Sequence, residues 1–276
     1  MPDALRLALG TLTVVRVPPP RRVTTTVAGR AMLLAPWVGA LLGLLASVLP
    51  WLVGAVAPGR RTTSATDLLT SVLAVGTLAL LTRGLHLDGL ADTADGLGLK
   101  GMGLTDPQAR ERRLTVMREP DTGAFGVATI VLVVLLQVTA LAACTSVGLG
   151  IVALVLATAT GRLAATWCAS AGVPSARADG LGAAVAGSVP QAAALGMTTV
   201  LVIGAALLGQ AGPDGVRRSL LLVVALLLGL AAGAALLRRC VTRFGGITGD
   251  VIGAVVEVTT TTVLVAVALG GAYPLT

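Results

Sequence analysis

The sequence is poor in charged and aromatic residues. Of its 276 residues, 12% are charged and 2% aromatic, whereas 55% are hydrophobic. Average soluble domains are about 25% charged. Because the few charges stand between long apolar runs, they are too sparse to coat a soluble globule, and the composition predicts a membrane protein. The only tryptophans, Trp37, Trp51 and Trp167, can anchor only a few helix ends at the interface.

Patterns for soluble cofactor and nucleic-acid sites are also missing. Cys144, Cys168 and Cys240 are far apart and have no Cys-x-x-Cys spacing, so we expect buried thiols and neither a disulfide framework nor a zinc site. No GxxxxGK[ST] segment occurs, which argues against NTP use through a P-loop. The net charge is +7, but no aromatic-interleaved basic patch accompanies it. The expected partner of the basic residues is anionic membrane lipid, with no nucleic acid.

Seven apolar runs approach or exceed the length of about 20 residues that a spanning helix needs. They predict an all-α, polytopic membrane bundle of about seven transmembrane helices, with residues 1–276 as a single integral membrane domain. Residues 4–15 are short and amphipathic, which predicts an interfacial N-terminal segment within residues 1–30. The predicted spans are 33–57, 67–87, 124–145, 148–171, 191–211, 219–237 and 251–270.

The positions of lysine and arginine predict the orientation. With seven spans and a cytoplasmic N-terminus, the outside segments hold only Arg60, Arg61, Arg217 and Arg218. This bias predicts a cytoplasmic N-terminus and makes 88–123 and 172–190 functional cytoplasmic loops. The inside segments then hold Arg6, Arg16, Arg21, Arg22, Arg30, Lys100, Arg110, Arg112, Arg113, Arg118, Arg177, Arg238, Arg239 and Arg243.

Three of the thirteen acidic residues, Asp88, Asp92 and Asp95, fall within eight positions after an apolar run. Their i, i+4, i+7 spacing places them on one helix face, within about 60° of one another. Carboxylates so placed repel one another unless a cation lies among them, and hard oxygen ligands suit Mg²⁺ or Mn²⁺. Gly89 and Gly96 would let a phosphate approach the backbone. The alternative is a solvated helix end.

A second acidic pair, Asp250 and Glu257, is seven residues apart and again shares a helix face. Glu257 lies two turns into an apolar run, where an ionised carboxylate costs about 2.5–3.5 kcal/mol. That cost predicts an interior position with a partner. Glu257 either binds a metal shared with the first acidic group or makes a structural contact. The structural contact would be a hydrogen bond to another helix or an ion pair with a group such as Arg162. Because the predicted topology puts both acidic groups on the cytoplasmic side, we expect one shared site.

Basic groups flank the acids. His86, the only histidine, is either a polar helix end or a metal ligand, phosphate donor or proton carrier. Arg83 would be unfavourable facing lipid, so it pairs with an acid or points at a phosphate. The run from Arg110 to Arg118 is either a topology anchor or an anion-capturing surface. Acids with arginines predict phosphoryl or phosphate-ester transfer, in which a metal neutralises a diphosphate and a carboxylate takes a hydroxyl proton.

Four stretches of the chain resemble the cobalamin synthase family, the adenosylcobinamide-GDP ribazoletransferases. The first, His86-Leu-Asp-Gly-Leu-Ala-Asp-Thr-Ala-Asp-Gly96, and the last, Gly245-Gly-Ile-Thr-Gly-Asp-Val-Ile-Gly-Ala-Val-Val-Glu257, are the most specific. Between them lie Met117-Arg-Glu-Pro-Asp-Thr-Gly-Ala-Phe-Gly-Val127 and Ala176-Arg-Ala-Asp-Gly-Leu-Gly-Ala183. They occur in the family's order and span nearly the whole chain.

The resemblance implies a Mg²⁺-dependent enzyme of the bacterial inner membrane, with its active site on the cytoplasmic side. It would join α-ribazole, or its 5′-phosphate, to adenosylcobinamide-GDP and release GMP. The implied metal ligands are Asp88, Asp92, Asp95, Asp250 and Glu257, of which Asp92, Asp95 and Glu257 are the candidate catalytic residues. The candidate substrate-binding residues are Arg83, which lies outside the family-like stretches, and His86, Arg118, Arg177 and Thr248 within them.

Two other functions are compatible with the residues. The acidic motif is similar in its logic to that of CDP-alcohol phosphotransferases, although that family expects an arginine and a wider-spaced aspartate where this chain has Asp92 and Asp95. A cation-coupled transporter would predict two matching halves, and the chain shows no such internal symmetry. Small-residue patterns in the apolar runs permit tight packing within the chain or in a homo-oligomer.

Overall fold

The computed structural model of the chain describes residues 1–56, 63–99, 105–211 and 214–272. In these ranges the chain forms helices, two isolated β-bridges and no strand. The predicted loop charges Arg60, Arg61 and Lys100 lie outside the described residues. The helices are Asp3–Leu12 (α1), Thr25–Ala46 (α2), Val48–Val56 (α3), Ser64–Leu81 (α4), Leu85–Gly98 (α5), Asp106–Val116 (α6), Ala124–Ser146 (α7), Gly150–Cys168 (α8), Gly180–Val185 (α9), Gln191–Gln210 (α10), Gly215–Phe244 (α11) and Gly249–Ala272 (α12).

Within the described ranges, seven helical segments are long and apolar enough to cross a membrane, which confirms the predicted all-α fold and the number of spans. The first begins eight residues before its predicted start, because the Thr24 side chain accepts a hydrogen bond from Val27 N–H and caps the helix. The spans are Thr25–Val53, Ser64–Leu81, Ala124–Ser146, Gly150–Cys168, Gln191–Gln210, Gly215–Phe244 and Gly249–Gly271.

The predicted span 67–87 is wrong at its C-terminal end. Helix α4 stops at Leu81, and Arg83 and Gly84 follow with φ of 55° and 67°. A left-handed turn of this kind breaks the helical path. Arg83 is therefore exposed in a turn, where its Nη2 donates to the Gly10 carbonyl of α1 at 3.5 Å. Its predicted role as a substrate ligand rested on a place inside the apolar run, which it does not occupy.

Helices α8 and α12 form the centre of the bundle and are buried along most of their length. Small residues allow the close packing: Gly39 and Gly43 of α2 lie directly against Thr158 of α8. The outer surface is apolar instead, as a lipid-facing surface requires, with Leu132, Leu207 and Leu220 all more than 60% exposed. The three cysteines are free and buried, as predicted.

The helices that carry the four family-like stretches meet at one end of the bundle. There α1 packs on α2, α5 packs on α12 and α7, and α6 and α9 pack against α11 and α12. The predicted loops 88–123 and 172–190 both belong to this end, but much of each is helical, in α5, α6 and α9. Beyond α1 the N-terminal segment is extended, and Val14 N–H donates to the Leu81 carbonyl at 2.7 Å.

Candidate active site

Helix α5 carries Asp88, Asp92 and Asp95, as the spacing predicts, and lies directly against α12. A Cβ atom added to Gly89 would be 2.7 Å from both Cα and the carbonyl oxygen of Asp250. Only a glycine permits this backbone contact. Gly89 therefore packs two helices together and does not open the backbone to a phosphate, contrary to the sequence interpretation. Gly96 is likewise covered, by Met117.

Asp92 lies at the electrostatic centre of the acidic group. Its pKa is raised from 3.8 to about 7, first by burial and then by the carboxylates of Asp250, Asp88 and Asp95, while Arg177 opposes the rise. Each of these carboxylates makes the ionisation of Asp92 less favourable. The acids of α5 and Asp250 of α12 are therefore close enough to influence one another, which is the part of the predicted shared site that does not involve Glu257. We call Asp88, Asp92 and Asp250 the acidic cluster.

The carboxylate of Asp95 is already occupied by backbone groups at the start of α7. It accepts hydrogen bonds from Gly123 N–H at 2.8 Å and from Gly126 N–H at 2.9 Å. A Cβ atom on either glycine would collide with this carboxylate. Asp95 thus satisfies unpaired N–H groups of a helix N-terminus and carries a favourable charge there. No sequence pattern indicates this contact, because the partners lie 28 and 31 residues away.

Arg177 is brought to the acidic cluster by the loop before α9. Ala176 N–H donates to the Ile247 carbonyl and Ile247 N–H to the Pro174 carbonyl, each at 2.9 Å. Nη1 of Arg177 then lies 3.9 Å from Oδ2 of Asp250. Its Nη2 donates to the Leu114 carbonyl of α6 at 2.6 Å. The arginine therefore joins α6 to the acidic cluster, which agrees with its predicted place in the site.

Thr248 is buried and serves α12 itself. Its hydroxyl donates to Oδ2 of Asp250 at 3.1 Å and accepts from Val251 N–H at 3.2 Å. These contacts cap the helix and fix the Asp250 carboxylate. They favour a positioning role for Thr248 over the direct substrate contact that the resemblance implies.

Arg118 and Asp179 complete a ring of contacts among the four family-like stretches. Nη2 of Arg118 donates to both carboxylate oxygens of Asp179, at 2.8 and 3.1 Å. Both side chains are more than half exposed, so the pair is weak and open to exchange with a ligand. Asp95 joins the first stretch to the second, Arg177 joins the third to the fourth, and Gly89 joins the first to the fourth. The four stretches are therefore in contact with one another in a closed ring.

Glu257 belongs to a different cluster, inside the bundle. Its Oε2 accepts from Nε2 of Gln137 at 2.7 Å, and its Oε1 lies 4.0 Å from Nδ1 of His86. Nη2 of Arg162 is 3.4 Å from the same His86 nitrogen, and the charges of Arg162 and Glu257 attract each other. The structure thus favours the structural alternative for Glu257, and His86 is a buried member of this polar network.

A basic cleft of about 950 Å³ opens beside the acidic cluster. Two acids, Asp106 and Glu111, line it, against five arginines. The sequence singled out the arginine run but could not show that these side chains converge on one cavity, since they come from α6, α11 and the two loops. The lining arginines are Arg110, Arg113, Arg118, Arg177 and Arg243.

The acidic cluster has suitable donors for Mg²⁺. Within the ranges that the structure describes, no group of three or more His, Cys, Asp or Glu side chains is close enough to hold a metal ion. Mg²⁺ does not require this, because it is usually held by one or two carboxylates together with waters and substrate phosphates. Asp88, Asp92 and Asp250 provide carboxylates that repel one another around Asp92, a tension that a divalent cation would relieve.

Together these features define a multi-pass helical membrane protein with an acidic cluster and an arginine-lined cleft at one end. The chain belongs to the cobalamin-5-phosphate synthase family, whose model matches residues 4–268.

Relatives match over nearly the full length of the chain. An adenosylcobinamide-GDP ribazoletransferase of Frankia casuarinae is 44% identical over 96% of this chain and 94% of its own. An enzyme of the same name from a Nocardioides species is 41% identical over 96% of this chain and 98% of its own. One from Pseudomonas fluorescens is 39% identical over 87% of this chain and 88% of its own. No solved structure matches the chain.

Proposed function

We propose that the chain is an adenosylcobinamide-GDP ribazoletransferase, which joins α-ribazole or its 5′-phosphate to adenosylcobinamide-GDP and releases GMP. The proposal rests on the family match and on the names of the full-length relatives. The observation in the structure that supports it best is the ion pair of Arg177 with Asp250. It joins a carboxylate cluster suited to a metal to a cleft suited to phosphates.

The bond changes match these two surfaces. A ribose hydroxyl of the acceptor attacks the phosphorus that carries the cobinamide, and a new P–O ester bond forms. The anhydride P–O bond to GMP breaks, and GMP leaves with that bond's electron pair. The hydroxyl proton passes to a carboxylate of the acidic cluster. Positioning and charge neutralisation are the main requirements of such a phosphoryl transfer.

Asp88, Asp92 and Asp250 would hold Mg²⁺, which when bound neutralises diphosphate charge and polarises the phosphoryl oxygens. Arg177 and Arg118 bind the diphosphate oxygens from the opposite side, and Arg118 can exchange Asp179 for a phosphate. Thr248 orients Asp250. Asp95 holds the N-terminus of α7 against α5, and Glu257 balances the buried Arg162.

The site lies at the membrane surface, and we place it on the cytoplasmic side of the bacterial inner membrane. The excess of lysine and arginine in the segments at this end supports that orientation. An odd number of spans places the two ends of the chain on opposite sides of the membrane. With a cytoplasmic N-terminus, the last of the seven spans, α12, therefore runs from the cytoplasmic side to the outside. Both substrates are large and polar, and they would reach the site directly from the cytoplasm.

A turnover assay tests the function. The purified full chain, in detergent or liposomes, is given adenosylcobinamide-GDP, α-ribazole 5′-phosphate and Mg²⁺. We expect adenosylcobalamin 5′-phosphate and GMP in equal amounts, and no product when EDTA is present. A folded protein that makes neither product, with either acceptor, contradicts the proposal.

A further inference from the structure

The basic cleft contains one arginine whose environment differs from that of the others. Arg113 of α6 is 7% exposed, and among the described residues its Nε has no hydrogen-bond partner. The side chain lines the cleft beside Arg110 and Arg243. Burial of a guanidinium is unfavourable unless an anion accompanies it. Arg113 is therefore arranged for an anion that enters the cleft.

The acidic residues of the cleft do not supply that anion. Glu111 is exposed on α6, and Asp106 lies in the first turn of that helix. No ion pair joins either of them to Arg113 in the described ranges, where the salt bridges of α6 and its following turn involve Arg112 and Arg118. The five arginines against two acids leave the cavity strongly positive. A phosphate dianion matches this surplus, and guanidinium groups are well suited to bind it.

The cleft extends from Arg177 along α6 to Arg113 and Arg110. Arg177 marks its boundary with the acidic cluster, since one of its nitrogens faces Asp250 and another donates to the Leu114 carbonyl. Arg113 and Arg110 precede Leu114 along α6, and the Arg110 guanidinium lies against Gly245, five residues before Asp250. These arginines therefore add positive charge to the cleft beyond that of Arg177, which faces the acids.

We propose that this part of the cleft binds the 5′-phosphate of the acceptor nucleotide, with Arg113 as the principal ligand and Arg110 and Arg243 beside it. The inference rests on the proposed function, in which one of the two possible acceptors carries a phosphomonoester in addition to the attacking hydroxyl. The acceptor is anchored by its phosphate in the cleft, and its ribose then extends past Arg177 to the acidic cluster. The site thus selects the phosphorylated nucleoside over the free one.

The test compares two acceptors with one pair of arginine variants. Arg113→Gln removes the charge from the cleft, whereas Arg112→Gln changes the neighbouring exposed arginine, which pairs with Glu119 and does not line the cleft. With α-ribazole 5′-phosphate, Arg113→Gln should raise KM roughly tenfold or more. With α-ribazole, KM should change less than about twofold, and KM for adenosylcobinamide-GDP should not change. Arg112→Gln should behave as the unmodified chain.

A binding measurement separates this inference from the proposed function. Without metal or adenosylcobinamide-GDP, α-ribazole 5′-phosphate should raise the Tm of the unmodified chain and of Arg112→Gln, but not that of Arg113→Gln. Arg243→Gln, at an exposed position in the same cleft, gives a second variant if Arg113→Gln does not fold. The assignment is overturned if Arg113→Gln raises KM equally for both acceptors. It is also overturned if Arg113→Gln loses stabilisation by GMP but keeps stabilisation by α-ribazole 5′-phosphate. If the unmodified chain shows the expected pattern of Tm shifts but makes no product, only the proposed function is contradicted.

Discussion

Nη1 of Arg177 lies 3.9 Å from Oδ2 of Asp250, and this pair is the point at which the basic cleft meets the acidic cluster. The two residues are 73 positions apart and belong to different family-like stretches. They meet because Ile247 is hydrogen-bonded to the loop that holds Arg177. A negatively charged substrate bound across this boundary would touch a metal on one side and guanidinium groups on the other.

Asp92→Asn should lower turnover about a hundredfold or more, because the residue is a proposed metal ligand. Its Tm should be unchanged or higher, since the surrounding carboxylates and burial already disfavour the ionised side chain. Turnover and thermal unfolding of the purified variant check this. Asp214→Asn, at the opposite end of the bundle and at a left-handed position that asparagine tolerates, is the control that should keep full activity. An active Asp92→Asn enzyme would remove this residue from the metal site.

Asp95→Ala should behave differently from Asp92→Asn. Loss of the carboxylate leaves the Gly123 and Gly126 N–H groups without their acceptor, so we expect a stability loss of about 1–2 kcal/mol. Mg²⁺ affinity, measured by calorimetry on the folded variant, should stay within a few-fold. A large fall in Mg²⁺ affinity without loss of stability would make Asp95 a metal ligand instead of a cap.

The sequence was sufficient to predict the seven spans and the helix under the three aspartates. Those features follow from apolar length and from helical periodicity. The sequence also predicted that Asp250 lies near those aspartates, but it wrongly placed Glu257 with them.

The cap formed by Asp95 and the contacts of Glu257 with Gln137 and His86 could not be predicted, because each depends on a contact between segments distant in the chain. Of the partners of Glu257, only Arg162 was among the sequence alternatives. Gly89 shows the same limit. Its place in the acidic motif is evident from the sequence, but its contact with the backbone of Asp250 is not.

Gly89→Ala tests the close contact of α5 and α12. The added methyl group would lie 2.7 Å from Asp250 Cα, so the helices must separate, and overpacking of this kind costs about 1–3 kcal/mol. Activity should fall with stability, since the contact also brings Asp250 to Asp92. In Gly76→Ala, on α4, the added Cβ meets no atom within 4 Å, and this variant should be neutral or slightly more stable. Equal behaviour of the two variants would contradict the packing role.

Glu257→Gln should destabilise the bundle by about 1–3 kcal/mol, because Gln137 would lose a charged hydrogen-bond acceptor and the charge of the buried Arg162 would no longer be opposed. The second change Arg162→Met should restore much of that stability by removing the unpaired charge. Thermal unfolding of both single variants and the double variant measures the coupling. If Glu257→Gln instead lowers Mg²⁺ affinity and leaves stability intact, Glu257 is a metal ligand after all.

The most direct test of the account is a structure of the chain with Mn²⁺ and a diphosphate ligand, because Mn²⁺ reports the metal position by its anomalous signal. We predict the metal between α5 and α12, bound by carboxylates of the acidic cluster and by diphosphate oxygens, with Arg177 on the ligand. Asp95 should remain on the N-terminus of α7, and Glu257 should remain with Gln137. A metal bound by Asp95 or Glu257, or a diphosphate held away from both the acidic cluster and Arg177, would contradict the account.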